Sequence, residues 1–235
     1  MEIRIENLKK IYGEKTVIDI PELALNQGEL VGLVGNNGAG KTTLMRLILD
    51  LIKADGGRVL SNGNQVDEDE AWKKYTGSFI DKSFLIDYYT PEEFFDFIGN
   101  VYGIDADTIT GRLSQFESLM RDEIIGTGKY IRNFSEGNRQ KIGIIAAMII
   151  NPDFLILDEP FNYLDPSSQI TIAKLIQKIN KELGTTVLLS SHNLNFVSEI
   201  STRIILMEKG IVLRDISNVD GSAEKELQEY FEGTE

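Results

Sequence analysis

Residues 35–42, Gly35-Asn36-Asn37-Gly38-Ala39-Gly40-Lys41-Thr42, combine glycines, one lysine and one hydroxyl at the spacing of a phosphate cradle. Glycines let the backbone fold so that successive N–H groups point inward at phosphate oxygens. Lys41 supplies a charge for the β- and γ-phosphates, and the Thr42 hydroxyl can ligate Mg²⁺. With Thr43 the run implies a binding loop for ATP and Mg²⁺. A second acidic element follows at Asp158-Glu159, directly after the apolar run 154–157. Asp158 is then placed to hold Mg²⁺ or its water, and Glu159 to orient an attacking water or accept its proton. Taken separately, the first run could be a glycine-rich turn and the second a surface turn. A phosphate loop also selects no reaction by itself.

These loops need elements to carry them. Residues 30–34 are a short apolar run, read as a buried strand, and 41–52 carry Leu44, Leu47, Ile48 and Leu51 on one helical stripe. The cradle therefore lies between a strand and a helix, as its chemistry requires. Residues 154–157 read as a second buried strand, and ligands in open α/β sheets bind at the C-terminal strand ends. Further strands are expected at 1–8, at 16–20 ending on Pro21, and at 58–60, 77–80 and 185–189. A hairpin 203–207/211–214 turns around Gly210. Gly56-Gly57 are expected to stop the first helix, and acidic 67–70 reads as a solvated turn. Residues 84–132 hold clustered aromatics and two or three helices, one starting at Thr90-Pro91. Long helices are expected at 135–150 and 166–183, a short one at 192–200, and a charged amphipathic one at 222–231. Alternating strands and helices imply a mainly parallel sheet with helices outside.

Composition narrows the partners. With 24 basic against 37 acidic residues the formal charge is -13, which disfavours phosphodiester backbones, so no nucleic-acid partner is expected. The chain has no cysteine, which removes disulfides, thiolate metal sites and cysteine nucleophiles. No apolar stretch approaches the ~20 residues of a membrane span, and no charged-then-apolar leader opens the chain. Any work at a membrane is expected to go through another protein.

Three further stretches carry a family pattern. Asn133-Phe134-Ser135-Glu136-Gly137-Asn138-Arg139-Gln140-Lys141 resembles the signature loop of ABC ATPases, whose consensus is Leu-Ser-Gly-Gly-Gln followed by basic, Gln and basic positions. Asn162-Tyr163-Leu164-Asp165 looks like the family's D-loop, and Ser190-Ser191-His192 like its switch-histidine segment. His192 is the sole histidine, and it falls at the expected C-terminal end of a strand. Tyr12 matches the upstream aromatic that stacks on adenine. The motifs occur in family order over about residues 3–214.

The resemblance implies an ATP-binding subunit of an ABC transporter. Its fold would be α/β, a P-loop RecA-like core with a mostly parallel sheet, an N-terminal antiparallel β part and a helical signature lobe. The core lobe would span 1–83 and 151–235, the helical lobe 84–150. Two subunits, most simply identical, would close on two ATP molecules. Ser135 and Gly137 would touch the γ-phosphate held by Lys41 of the partner subunit. Glu159 would be the catalytic carboxylate, and His192 would bind the γ-phosphate. A separate transmembrane permease would be driven, in the export direction, from the inner (cytoplasmic) face of the cell membrane. Three positions depart from the pattern, one of them Asn138, which stands where the signature has Gln. Glu136 stands where the signature has Gly, and is expected to point outward. Asp81, followed by Lys82, stands where the family has Gln, and is expected as an oxygen ligand to Mg²⁺ or its water. The competing functions are a soluble ABC ATPase of translation, repair or cofactor assembly, and a regulatory module that binds ATP without hydrolysing it. The cargo is not legible.

Overall fold

A computed structural model describes residues 1–192, 194–219, 221, 223 and 227. The charged helix expected at 222–231 lies almost wholly outside them. In chain order the elements are β1 (Ile3–Tyr12), β2 (Lys15–Leu25), β3 (Leu30–Val34), α1 (Lys41–Ile48), β4 (Gly56–Ser61), β5 (Asn64–Gln65), β6 (Thr76–Phe79), α2 (Pro91–Tyr102), α3 (Ala106–Leu113), α4 (Glu117–Met120), α5 (Glu136–Ile149), β7 (Phe154–Leu157), α6 (Pro166–Leu183), β8 (Thr186–Ser191), α7 (Leu194–Ile200), β9 (Arg203–Glu208) and β10 (Ile211–Ser217).

The strands form two sheets. One is antiparallel, in the order β2-β1-β4-β5; the other runs β10-β9-β3-β8-β7-β6 and is parallel except for the β9–β10 hairpin. In the parallel sheet successive side chains enter two different cores. Val31 and Leu33 of β3 join β1, β2 and α1, where Ile3, Ile5, Leu8, Leu44 and Met45 are buried. Leu30 and Val34 face the other way, onto α5, α6 and α7. Both faces being covered, the strands read as unbroken apolar runs. Registers Val34↔Ser191, Leu157↔Leu189 and Phe79↔Leu157 bring the C-terminal ends of β3, β8, β7 and β6 to one edge. The segments beginning at Gly35, Ile80, Asp158 and His192 therefore leave the sheet side by side.

Helix α2 starts as its sequence predicts. The Thr90 side chain and backbone exchange hydrogen bonds with those of Glu93, a capping box with Pro91 in the first turn. Several boundaries differ from expectation; β1 runs on to Tyr12 instead of ending at Leu8, and β10 to Ser217 instead of 214. Helix α1 stops at Ile48 rather than 52, because Asp50 takes a left-handed conformation (φ 47°). Gly56-Gly57 consequently open β4 instead of ending the helix. Strand β2 continues through Pro21 to Leu25, which the proline permits because β2 is an edge strand and needs no outward N–H. Among the described residues no helix is long and apolar enough to cross a membrane.

Candidate nucleotide site

Strand β3 runs directly into the loop 35–40. Gly35 and Gly40 adopt φ of 151° and 107°, and each is packed where a side chain has no room. A Cβ would lie 2.2 Å from the Met207 carbonyl oxygen at Gly35 and 2.9 Å from the Val17 carbonyl oxygen at Gly40. The loop is also buttressed, since Gly210 N–H, in the β9–β10 turn, donates to the Ala39 carbonyl at 2.9 Å. Gly40 is the N-cap of α1, and no side chain caps that first turn. The helix thus offers backbone donors and its positive end to an anion.

Lys41 is only 7% exposed. Its Nζ donates to the Gly35 carbonyl at 2.6 Å and stands 3.9 Å from Glu159 Oε1. Burial pushes its pKa below the ordinary lysine value, against the opposing pull of Glu159 and Asp158. A cation already stripped of water interacts strongly with an incoming phosphate. Thr42 Oγ1 donates to Asp158 Oδ2 at 2.5 Å, and the Ser190 hydroxyl donates to the other carboxylate oxygen. The Asp158 N–H bonds the Phe79 carbonyl at 3.0 Å, which fixes the aspartate to β6 as well as β7. A hydroxyl and a carboxylate in contact are the hard oxygen donors that Mg²⁺ takes. Among the described residues no group of three or more His, Cys, Asp or Glu forms a cage. When bound, Mg²⁺ neutralises charge developing on the phosphoryl oxygens.

Glu159 has a left-handed backbone (φ 47°), and its N–H donates to Ser190 Oγ at 2.8 Å. This turn aims its carboxylate back over the loop, with Oε2 2.9 Å from His192 Nδ1. Gln140 of α5 donates to the Glu159 carbonyl at 3.2 Å. Ser190 and Gln140 thereby hold both sides of the Asp158-Glu159 turn. The sequence singles out neither for this task, although a glutamine entering the buried run of α5 is a visible anomaly.

Tyr12, at the end of β1, is 52% exposed. It opens a cleft of ≈ 380 Å³ that it shares with Lys15, Val17, Glu159 and the run Asn37, Gly38, Ala39, Gly40, Lys41, Thr42 and Thr43. Asn36 lies beneath that run, its carbonyl 3.5 Å from Lys41 Nζ. Ser135 and Gly137 do not line the cleft. Ser135 caps α5, its Oγ accepting from Asn138 N–H at 3.2 Å. Gly137 packs on the D-loop-like turn, where a Cβ would lie 2.7 Å from the Tyr163 carbonyl oxygen. Glu136 turns to solvent and forms an ion pair with Lys82. Asp81 does not bond Thr42 or Asp158. Its Oδ1 accepts from the Ser83 backbone N–H at 2.8 Å and from the Ser83 hydroxyl, and its Oδ2 from Arg46 at 3.1 Å. Burial raises its pKa, but those bonds outweigh it and leave the carboxyl below its ordinary value.

Residues 18–162 match the sequence model of the family described as ABC transporter. An uncharacterized ABC transporter ATP-binding protein of Synechocystis is 32% identical over 91% of this chain, which spans 57% of that relative's length. The bacitracin transport ATP-binding protein BcrA of Enterococcus faecalis is 34% identical over 92% of this chain and 69% of its own. The solved dimeric cassette MJ0796, a bacterial ABC transporter cassette, superposes with a TM-score of 0.82 over 92% of this chain and 98% of its own, at 24% identity. The match therefore joins the phosphate cradle, the acidic strand end and the two-sheet core in one known architecture: the chain belongs to the ABC transporter family, as one of its ATP-binding ATPase cassettes.

Proposed function

We propose that two copies of this cassette close face to face on two ATP molecules and drive a separate membrane permease. One observation carries this reading. Lys41, Thr42, Asp158 and Glu159 line or adjoin one cleft, while Ser135 and Gly137, set at the start of another helix, lie outside it. A second subunit can bring its own Ser135 and Gly137 to that cleft, and the superposable cassette MJ0796 is described as a dimer. In this arrangement Glu159 orients water at the γ-phosphate. His192, with Nδ1 2.9 Å from Glu159 Oε2, holds that carboxylate, and its imidazole would bind the γ-phosphate. Asp81 joins the Mg²⁺ water shell only by exchanging its bond to Arg46. The core lobe comprises 1–83 and the described residues from 151 on, and the helical lobe 84–150.

The permease docks in a groove of ≈ 670 Å³ between the end of α1, β6 and α2, lined by Leu51, Trp72, Phe84, Val101 and Tyr102. Phe84 and Val101 are 51% and 63% exposed there, an apolar surface suited to a short helix projecting from a membrane protein. The cassette then works at the inner face of the cell membrane. We propose export as the direction; the relatives are named for bacitracin transport and for sulfate/thiosulfate import, so their names assign this chain no cargo. Purification from detergent-solubilised membranes tests the assignment. An identifiable polytopic protein should co-purify with the wild-type chain and be lost with Phe84→Glu or Val101→Glu, while ATP binding stays unchanged. If no membrane protein accompanies the chain from its native membranes, the transport reading is wrong.

A further inference from the structure

We propose that Lys82 is a positioning residue for the trans half of the site: it draws the Glu136 carboxylate off the face that Ser135 and Gly137 present to a second subunit. The inference rests on the two-cassette reading above.

Glu136 lies between the two residues proposed to meet a γ-phosphate. Negative charge in the first turn suits the helix itself, so nothing in α5 expels it. Toward a triphosphate the same charge is repulsive. Lys82 Nζ pairs with Glu136 Oε2, and the lysine side chain is only 18% exposed against 59% for the glutamate. The ammonium also sits 3.7 Å above the Tyr163 ring. The carbonyl of that tyrosine is the atom that Gly137 packs against. One cation therefore touches the turn after β7 and the first turn of α5, and is fixed from both sides. The nearby cation Arg139 bonds Asp87 at 2.9 Å and acts on Glu136 only through its charge, less than Lys82 does. Two of the places where the sequence leaves the family pattern, 81–82 and 136, are thus in direct contact. The charge introduced at one is neutralised and turned aside by the other.

The test is a double-mutant cycle on the full chain, in a Glu159→Gln background that keeps bound ATP unhydrolysed. Light scattering gives the dimerisation midpoint with Mg²⁺ and ATP, and a fluorescent ATP analogue gives the affinity of the dilute chain. Lys82→Ala should weaken ATP-dependent dimerisation by roughly tenfold, within the usual coupling of a close charge pair. Lys82→Arg should restore it. In a Glu136→Gly chain, Lys82→Ala should cost less than about twofold, since the charge to be managed is gone. Dilute ATP affinity should not change. Equal losses in both backgrounds, no loss in either, or a drop in dilute ATP affinity would each overturn the proposal. Absence of any ATP-dependent dimer in the parent chain would instead refute the two-cassette reading, and this inference with it.

Discussion

Lys41 and Glu159 set the balance of charge at the nucleotide cleft. The lysine is desolvated by burial, and the glutamate stands 3.9 Å from its Nζ. Removing the glutamate charge takes away the proton acceptor and also an anion beside the phosphate position. Glu159→Gln should therefore lower the hydrolysis rate by on the order of 10²–10⁴-fold, the usual range for a general base. ATP should bind at least as tightly as before. Single-turnover hydrolysis and equilibrium binding on the same preparation check both; a variant that loses binding and rate together would place Glu159 in binding rather than in chemistry. The neighbouring contacts show what a sequence can reveal of such a site. Gly35, Lys41, Thr42, Asp158 and Glu159 were legible because each belongs to a contiguous run whose chemistry dictates its residue type. Ser190 on Asp158, Gln140 on Glu159 and Lys82 on Glu136 were not. Those pairs are 32, 19 and 54 residues apart, and only the folded chain brings them together.

At the scale of elements, β6 and α5 pack more closely than ordinary side chains allow. A Cβ on Gly143 would come within 2.1 Å of the Phe79 ring, and one on Gly77 within 2.0 Å of the Ala147 carbonyl oxygen. Phe79 also accepts the Asp158 N–H through its carbonyl. Helix α5 is thus pressed against the strand whose Phe79 carbonyl holds the Asp158 N–H. Gly143→Ala should destabilise the fold by about 1–3 kcal/mol, the usual cost of overpacking, measured as a lower urea midpoint with unchanged slope. Phe79→Leu in the same chain should return part of that loss by vacating the ring's space. If Gly143→Ala is neutral, the contact is looser than the geometry states. Strand and helix identities were legible here, because buried parallel strands and amphipathic helices leave clear periodicities. Boundaries were less so. Helix α1 ends where Asp50 turns left-handed, and β2 runs through Pro21 because tertiary pairing places it at an edge. Neither cause is local to the sequence.

For the whole molecule, a formal charge of -13 opposes self-association. Two copies repel at long range, and bound triphosphates add to that charge. In the proposed dimer, short-range contacts through ATP would offset that repulsion: Lys41 and the start of α1 on one side, Ser135 and Gly137 across the interface. This predicts little association without nucleotide and a hydrolysis rate per chain that falls on dilution. Raising ionic strength from about 0.01 M to 0.1 M, which shortens the screening length from ~30 to ~10 Å, should ease the repulsion while leaving close contacts largely intact. Activity per chain should then rise at fixed dilution. Steady-state hydrolysis over a hundredfold concentration series at both salt levels tests the prediction. A rate per chain that stays constant throughout would mean that one cassette completes its own site, and that Ser135 and Gly137 are not supplied in trans.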